Sequence, residues 1–500
     1  MEYNFHNGNL KEELFKINGI DESSLDISRF DNYKKDEESI LSFKEKLLSL
    51  KDSKFLIVGD YDCDGICATA ITKRLLDNLG ISNNFYIPSR IKDGYGLNKN
   101  MVDVAIKNNF DCILTVDNGV VATEAINYAN ENDIKVLIID HHNYQDKPNC
   151  FAFIHPDLLK DGFNKLSAGG LSYLLSTYFY EDDLSLCYGG LTILSDMVGV
   201  LDFNRYLLVR MMEILSKKDI YQLRLLNDSN NFSYDSLSFN VIPKINSISR
   251  MNYNSNFLVK YLLADEKQCD SYISQINNVN NLRKKETNDE MLIADKLLNK
   301  NDKFIIVISD SFKEGICGLL ANKISSTYKK PCLVFCKSNG LLKGSGRSPE
   351  DVELYDYLSE YKGLYETFGG HGQACGLSIK EEKIDEFLKN INSNEIKANR
   401  IVKDVICFNQ NKLNSSLLDE TESLKPFGID FKEPLICVKD FNYSKIFMIK
   451  NMYPKYIVNN SLSAICFKGI IKEEFNDLIG HISKDNYHKN AVSILIEDLI

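Results

Sequence analysis

The sequence predicts an α/β protein: a doubly wound parallel-sheet domain, a long helical connector, a second and smaller α/β domain, and a small C-terminal β-barrel. Three observations predict it. Phe55-Leu-Ile-Val58, Cys112-Ile-Leu-Thr-Val116 and Val136-Leu-Ile-Ile139 are unbroken apolar runs rich in β-branched residues, as strands buried on both faces of a parallel sheet must be. Helical patterns at 67–79 and 99–108 separate them, which is the alternation of a wound sheet. The last hundred residues instead carry short apolar bursts divided by Asn, Lys and Asp, a strand-and-turn pattern.

In chain order, a polar, helix-like leader covers 1–53 and the wound domain covers 54–254. Residues 255–300 keep helical periodicity without a Pro or Gly, so this connector reads as helix and not as a floppy linker. Phe304-Ile-Ile-Val-Ile308 and Cys332-Leu-Val-Phe335 open the second α/β pattern, over 301–395, and the barrel takes 396–500. At roughly 150 residues per domain, the 500 residues predict about three domains.

A chain that is 44% hydrophobic and 26% charged, with only 9 Pro, is neither disordered nor collagen-like. No apolar run approaches the roughly 18 residues of a membrane span, and the first residues show neither a basic leader nor an apolar core. A cytoplasmic protein with no membrane partner is expected. The 13 cysteines include no CxxC pair, which points away from zinc or a disulfide framework and toward buried thiols in a reducing compartment. The net charge of −11, taken in bulk, argues against a nucleic-acid partner.

Asp60, Asp62 and Asp64 crowd the end of the first predicted strand, followed by Gly65. Like charges this close call for a compensating cation. A calcium loop begins this way, but the twelfth position counted from Asp60 is Ile71 where Glu is needed, and the motif follows a strand. An acidic surface loop is the plain alternative. Against it, Asp117 follows CILTV and Asp140-His141-His142 follows KVLII. Three successive strands thus deliver Asp or His to one sheet edge, where the functional groups of open parallel sheets gather. Carboxylates with one imidazole suit Mn²⁺ or Mg²⁺ better than metals that prefer thiolate.

GDYDCDG, VDNG and DHH, in this order, resemble the DHH phosphoesterase superfamily. PSRIKDGYGL (88–97), LSAGG (166–170), LSDMVG (194–199), NNLRKKE (280–286), EGICGLLANKI (314–324), LKGSGRS (342–348), GGHGQACGLSI (369–379) and KPFGIDFKEPL (425–435) resemble its RecJ family of single-strand-specific exonucleases. The resemblance implies Asp62, Asp64, Asp117, His141 and Asp196 as ligands of two divalent cations, Mn²⁺ or Mg²⁺, with Asp117 bridging. It makes Asp60 and Asp140 supports of those ligands and adds His142 to the catalytic set for proton handling. Without it, Asp196 in the apolar stretch LTILSDMVGV would read as a buried, hydrogen-bonded Asp.

Lys343-Gly-Ser-Gly-Arg-Ser348 sets two glycines beside hydroxyls and cations, so backbone N–H groups can approach a phosphate; a glycine turn between strands is the alternative. The resemblance implies that Ser345, Arg347 and Arg250 bind a 5′ phosphate, that Arg90 contacts the strand's backbone, and that His371 faces the metal cleft. Two departures stand out: Ser249 where the family pattern has glycine, and Lys313 in Phe312-Lys-Glu-Gly315 where W-H-x-G is common. Lys425 to Lys472 holds 8 Lys against Asp430, Glu433 and Asp440, interleaved with Phe427, Phe431, Phe441, Tyr443, Phe447, Tyr453, Tyr456 and Phe467. Cationic grooves with aromatic platforms hold single strands, and the resemblance implies an OB-like barrel in this place.

The expected function is therefore a metal-dependent 5′→3′ exonuclease of DNA repair and recombination, acting on single-stranded DNA by a two-metal mechanism and releasing 5′ mononucleotides. Its expected partners are single-stranded DNA, a single-strand-binding protein and a helicase, with the enzyme a monomer. One alternative keeps the chemistry but turns it on short oligoribonucleotides or cyclic dinucleotides. Another is a non-catalytic replisome scaffold, which the filled ligand positions oppose.

Overall fold

The computed structural model describes residues 2–338, 340–469, 471–485 and 491–500, with the backbone alone at 392 and 393. Two compact units form: residues 35–196 with 210–399, and residues 1–34 with 197–209 and 400–500.

In the larger unit, the predicted apolar runs become strands Phe55–Val58, Cys112–Val116 and Lys135–Ile139, joined by Asn83–Tyr86 and Ala152–Ile154. All five pair in parallel, with Phe55–Val58 between Asn83–Tyr86 and Cys112–Val116, then Lys135–Ile139 and Ala152–Ile154. Every residue of Phe55–Val58 and Cys112–Val116 is buried, which explains why these runs do not alternate polar with apolar. Because the strands are parallel, their carboxyl ends share one edge. Val58, Leu97, Met101, Ile113, Ile126 and Ile138 belong to the core packed on one face.

Helices Asn256–Leu263 and Glu266–Leu297 occupy the connector region. The second helix runs 32 residues and starts with a capping box in which Asp265 accepts from the Gln268 N–H while the Gln268 side chain accepts from Asp265 N–H. A second sheet follows in the order Tyr365–His371, Ala374–Lys380, Leu341–Arg347, Cys332–Ser338, Ile305–Ser309, parallel only between the last two.

The smaller unit holds an eight-stranded mixed sheet. Its strands between Ile436 and Leu499, antiparallel except where Leu462–Ile465 runs parallel to Val492–Leu499, occupy the place where an OB-like barrel is expected. Among the described residues its end strands, Glu2–Asn7 and Lys445–Ile449, each pair with one neighbour. Glu2–Asn7 runs parallel to Val402–Asn409 in the register Glu2↔Val402 through Asn7↔Cys407. The leader therefore contributes a strand to the C-terminal sheet. Its EYNFHN sequence has no apolar run to announce it. Among the described residues no helix is long and apolar enough to cross a membrane.

Candidate metal centre

The turn after Phe55–Val58 folds back tightly into helix Cys63–Asn78. Asp62 caps that helix, its Oδ1 accepting from the Gly65 N–H at 3.1 Å. A Cβ on Gly65 would lie 2.6 Å from the Asp60 Cα and N, so only glycine lets the helix approach buried Asp60. Asp64, in the first helical turn, is buried, and its carboxylate accepts from Ala168 N–H (2.9 Å) and Gly169 N–H (2.7 Å). Those are the first residues of helix Ala168–Thr177, whose positive end favours an anion.

Asp117 ends the next strand with φ +62°, a left-handed conformation costing on the order of 1–3 kcal/mol in a non-glycine residue. Asp140 follows the third strand and is fully buried. Its Oδ2 accepts from Val120 N–H at 3.0 Å; its Oδ1 accepts from His141 N–H at 2.8 Å and His142 N–H at 3.2 Å, with His142 Nδ1 at 2.8 Å. It therefore braces the two histidines. Asp196 caps the C-terminal end of helix Asp183–Ser195.

These side chains converge. His141 Nε2 lies 3.2 Å from Asp117 Oδ1 and 3.7 Å from Asp64 Oδ2, and its Nδ1 lies 3.6 Å from Asp196 Oδ2. Among the described residues three groups place their ligand atoms within 4.8 Å of one another: Asp60–Asp62–Asp117, Asp64–His141–Asp196 and Asp117–His141–His142. Asp117 belongs to two of them. Tyr95, not singled out from the sequence, sets its hydroxyl 3.1 Å from both ring nitrogens of His142 and donates to the Asp117 carbonyl at 3.3 Å.

Burial, then neighbouring carboxylates, push Asp60, Asp64 and Asp117 well above the usual carboxylate range. The same causes, led by burial with Asp62 next, push Asp196 up to about 7. Burial lowers His141 to about 4, leaving the neutral imidazole that can donate a lone pair. Burial works against the Asp140–His142 pair too, but their mutual hydrogen bond and charge hold Asp140 below, and His142 above, their ordinary values. Asp60 Oδ1 is buried without a hydrogen-bond partner. A crowded anionic pocket with a neutral imidazole and an orphaned carboxylate oxygen fits divalent cations that take oxygen and nitrogen ligands.

The same unit carries a group of arginines. Arg250 ends helix Ile242–Arg250; burial and the charges of Arg90, Arg283 and Arg347 lower it to about 10. Arg90 lies over the Tyr61 ring at 4.4 Å, with a buried Nε that has no partner. A Cβ on Gly315 would sit 2.0 Å from the Arg250 carbonyl oxygen, and one on Gly318 would meet Ser345 Oγ at 3.6 Å and Arg347 Nη2 at 3.8 Å. Helix Glu314–Tyr328 thus starts against Arg250 and runs past Ser345 and Arg347. Arg283, whose guanidinium donates to Asn280 Oδ1 at 2.9 and 3.2 Å, was not picked out by sequence reasoning. The available signal was its position seven residues after buried Ile276 on the stripe that includes Val279 and Asn280.

Other predicted residues fall differently. His371 is exposed at the end of Tyr365–His371, opposite Ala374, and lies outside the three ligand groups. Ser249 is accommodated inside a helix, its hydroxyl donating to the Asn246 carbonyl at 3.3 Å. Asn246 in turn accepts from Cys63 N–H at 2.8 Å, tying this helix to the ligand-bearing turn. Lys313 precedes helix Glu314–Tyr328 and pairs with Glu286 at 2.8 Å.

In the smaller unit, Phe431, Phe441 and Tyr456 are core, whereas Phe447 and Phe467 are exposed. Lys425, Lys439, Lys455 and Lys468 pair with Glu422, Asp477, Asp485 and Glu497. These acids all lie outside the 425–472 segment, so its local positive charge is partly neutralised within the fold. Lys445 and Phe447 share a small cleft with Asn459 and Asn460.

Residues 54–193 match the DHH family, N-terminal domain, and residues 301–397 match the DHHA1 domain. The single-stranded-DNA-specific exonuclease RecJ of Bacillus subtilis (strain 168) is 25% identical over 455 residues, which cover 85% of this chain and 57% of that protein. The protein of the same name from Haemophilus influenzae is 28% identical over 427 residues, covering 76% of this chain and 74% of its own. This chain thus spans little more than half of the B. subtilis relative. The crystal structure of RecJ in complex with Mn²⁺ from Thermus thermophilus superposes with a TM-score of 0.81 at 19% identity, over 97% of this chain and 75% of that one, a match in fold.

Proposed function

From the match of residues 54–193 to the DHH family, N-terminal domain, and of residues 301–397 to the DHHA1 domain, we propose that the chain is a metal-dependent exonuclease that removes 5′ mononucleotides from single-stranded DNA. The observation that carries this reading is the setting of Arg250, on which Arg90, Arg283 and Arg347 act together with Asp62. An anion pocket within electrostatic reach of a metal-ligand set is what end-directed hydrolysis of a phosphodiester needs. A terminal phosphate held by Arg250, Arg283, Arg347 and Ser345 leaves the next phosphodiester as the one presented to the carboxylates. A 5′ phosphate in that pocket sets the 5′→3′ direction.

Asp62, Asp64, Asp117, His141 and Asp196 hold two divalent cations, Mn²⁺ or Mg²⁺, in this reading, with Asp60 turned toward the same pocket. When bound, such ions polarise the phosphate and acidify a water. Asp140 engages Nδ1 of His142, so Nε2 is the atom that gives a proton to the leaving oxygen. Arg90, held over the Tyr61 ring, meets the backbone beyond the scissile bond. In the smaller unit, the exposed Phe447 and Phe467 offer stacking faces to single-stranded DNA. The names of the RecJ relatives support the substrate class.

End-labelled single strands with Mn²⁺ or Mg²⁺ test the reading. Mononucleotides released from the 5′ end only, abolished by Asp117→Ala, are expected. Release from both ends, activity that survives Asp117→Ala, or faster turnover of a dinucleotide than of a long strand overturns it.

A further inference from the structure

Cys407 and Cys437 stand directly opposite one another on neighbouring parallel strands, Val402–Asn409 and Ile436–Lys439, in the register Ile406↔Ile436, Cys407↔Cys437, Phe408↔Val438. Residues in register on adjacent strands project to the same face of a sheet. Both cysteines pack in one small cluster with Val405, Leu435 and Ile479, Cys437 buried and Cys407 half-buried. Neighbouring strands lie about 4.7–4.9 Å apart, inside the roughly 4.4–6.8 Å between Cα atoms that a disulfide bridges. Cys407 also lines a cleft of about 470 Å³ with Asn9, Asn409, Lys412 and Asn414, so of the pair it is the residue with access to solvent while Cys437 is buried.

We propose that Cys407 and Cys437 form a peroxide-oxidisable, reversible dithiol–disulfide site in the smaller unit, with Cys407 the sulfur oxidised first and Cys437 the one that resolves it. Cys407 sulfur attacks one oxygen of hydrogen peroxide, the O–O bond breaks, and Cys407 sulfenic acid and water result. Cys437 sulfur then attacks the Cys407 sulfur, the S–O bond breaks, and the hydroxyl leaves as a second water with the Cys437 proton. Two thiols lose two electrons, one peroxide is reduced, and two waters form. Side chains leaving adjacent strands in parallel stand farther apart at Cβ than the about 3.8 Å typical of a disulfide, so the bond forms under strain. Strained disulfides are the readily reduced ones, which makes this site reversible by an ordinary dithiol. Burial raises both thiols, Cys437 to about 12. Oxidation is therefore slow, unlike that of a dedicated peroxidase cysteine.

Full-length protein is treated with millimolar hydrogen peroxide, alkylated under denaturing conditions and mapped by peptide mass spectrometry. The expected result is a cross-linked peptide pair joining Cys407 to Cys437, which disappears after dithiothreitol, while Cys112, Cys187 and Cys332 are recovered as free thiols. In Cys437→Ser, checked for folding by circular dichroism, Cys407 should stop at sulfenic acid, trapped by dimedone. The proposal is overturned if Cys407 and Cys437 are both recovered free while other cysteines oxidise. It is overturned equally if Cys407 is linked to a different cysteine or goes to sulfinic acid in the wild type. Because this readout uses no nucleic acid, its failure leaves the exonuclease reading untouched, and the converse also holds.

Discussion

Neutralising Asp196 should stabilise the metal-free protein, and by more as the pH rises. Crowding and burial move this carboxyl from its ordinary 3.8 to about 7. The folded state therefore holds the proton longer than the unfolded state does. The corresponding stability is fully present below about pH 3.8 and is lost as pH rises through about 7. At about 1.36 kcal/mol per pH unit, the whole displacement is worth at most about 4 kcal/mol, of which about 2 kcal/mol is lost between about pH 5.5 and pH 8. His141 moves the opposite way: its folded value of about 4 lies below the ordinary 6.5, so its contribution is lost as pH falls through that window. Wild-type stability alone mixes the two. The difference between Asp196→Asn and wild type removes the His141 contribution and carries that of Asp196 together with its charge's effect on Asp64 and His142. Urea unfolding in EDTA, followed by far-ultraviolet circular dichroism, should show Asp196→Asn gaining on wild type by up to about 2 kcal/mol from pH 5.5 to pH 8. Mn²⁺ should restore wild type at pH 8 and help the variant less. A wild-type-to-variant difference that stays constant with pH, or wild-type stability indifferent to Mn²⁺ at pH 8, would refute the reasoning.

Other perturbations follow from the same geometry. Gly65→Ala forces a Cβ to within 2.6 Å of Asp60 backbone and should destabilise by about 1–3 kcal/mol while lowering Mn²⁺ affinity, read by calorimetric titration. Asp140→Asn leaves one N–H facing an amide where a carboxylate oxygen accepted, and should cost about 2–3 kcal/mol in urea unfolding and reduce kcat more than KM. Arg283→Ala should raise KM for 5′-phosphorylated strands about tenfold, a loss of about 1.4 kcal/mol, with little change for 5′-hydroxyl strands. Phe447→Ala should weaken binding of a long single strand by about 1–3 kcal/mol in fluorescence anisotropy and leave dinucleotide turnover unchanged.

The sheet edge was legible because fully buried parallel strands write themselves as unbroken apolar runs, and whatever follows such a run lies at the edge. That rule located Asp60, Asp117 and Asp140 with their neighbours. Asp196 escaped it because it caps a helix that is itself almost wholly apolar, and nothing local distinguishes its carboxylate from a buried structural one. Resemblance alone suggested it, and the 3.6 Å approach of His141 depends on pairing residues far apart in sequence. Arg283 was hidden for a different reason: a cation within a long polar helix looks solvated until the face it occupies is known. Strand Glu2–Asn7 was illegible because its partner lies four hundred residues away. The bulk charge is a poor guide, since it counts carboxylates turned into a pocket as surface, and so is the local lysine count, since Lys425, Lys439, Lys455 and Lys468 are paired within the fold.

That first strand also bears on how the polypeptide is made. Glu2 pairs with Val402 and Asn7 with Cys407, so a ribosome must add about four hundred further residues before the strand finds its neighbour. Residues 35–196 can reach their own sheet much earlier, because its strands all lie between 55 and 154. During that interval the segment is an unpaired strand edge, the kind of surface that recruits other chains. Glu2, Asn4, His6 and Asn7 make it a poor template for such recruitment. The polar composition that concealed the strand from sequence reading is what lets it wait in water through synthesis.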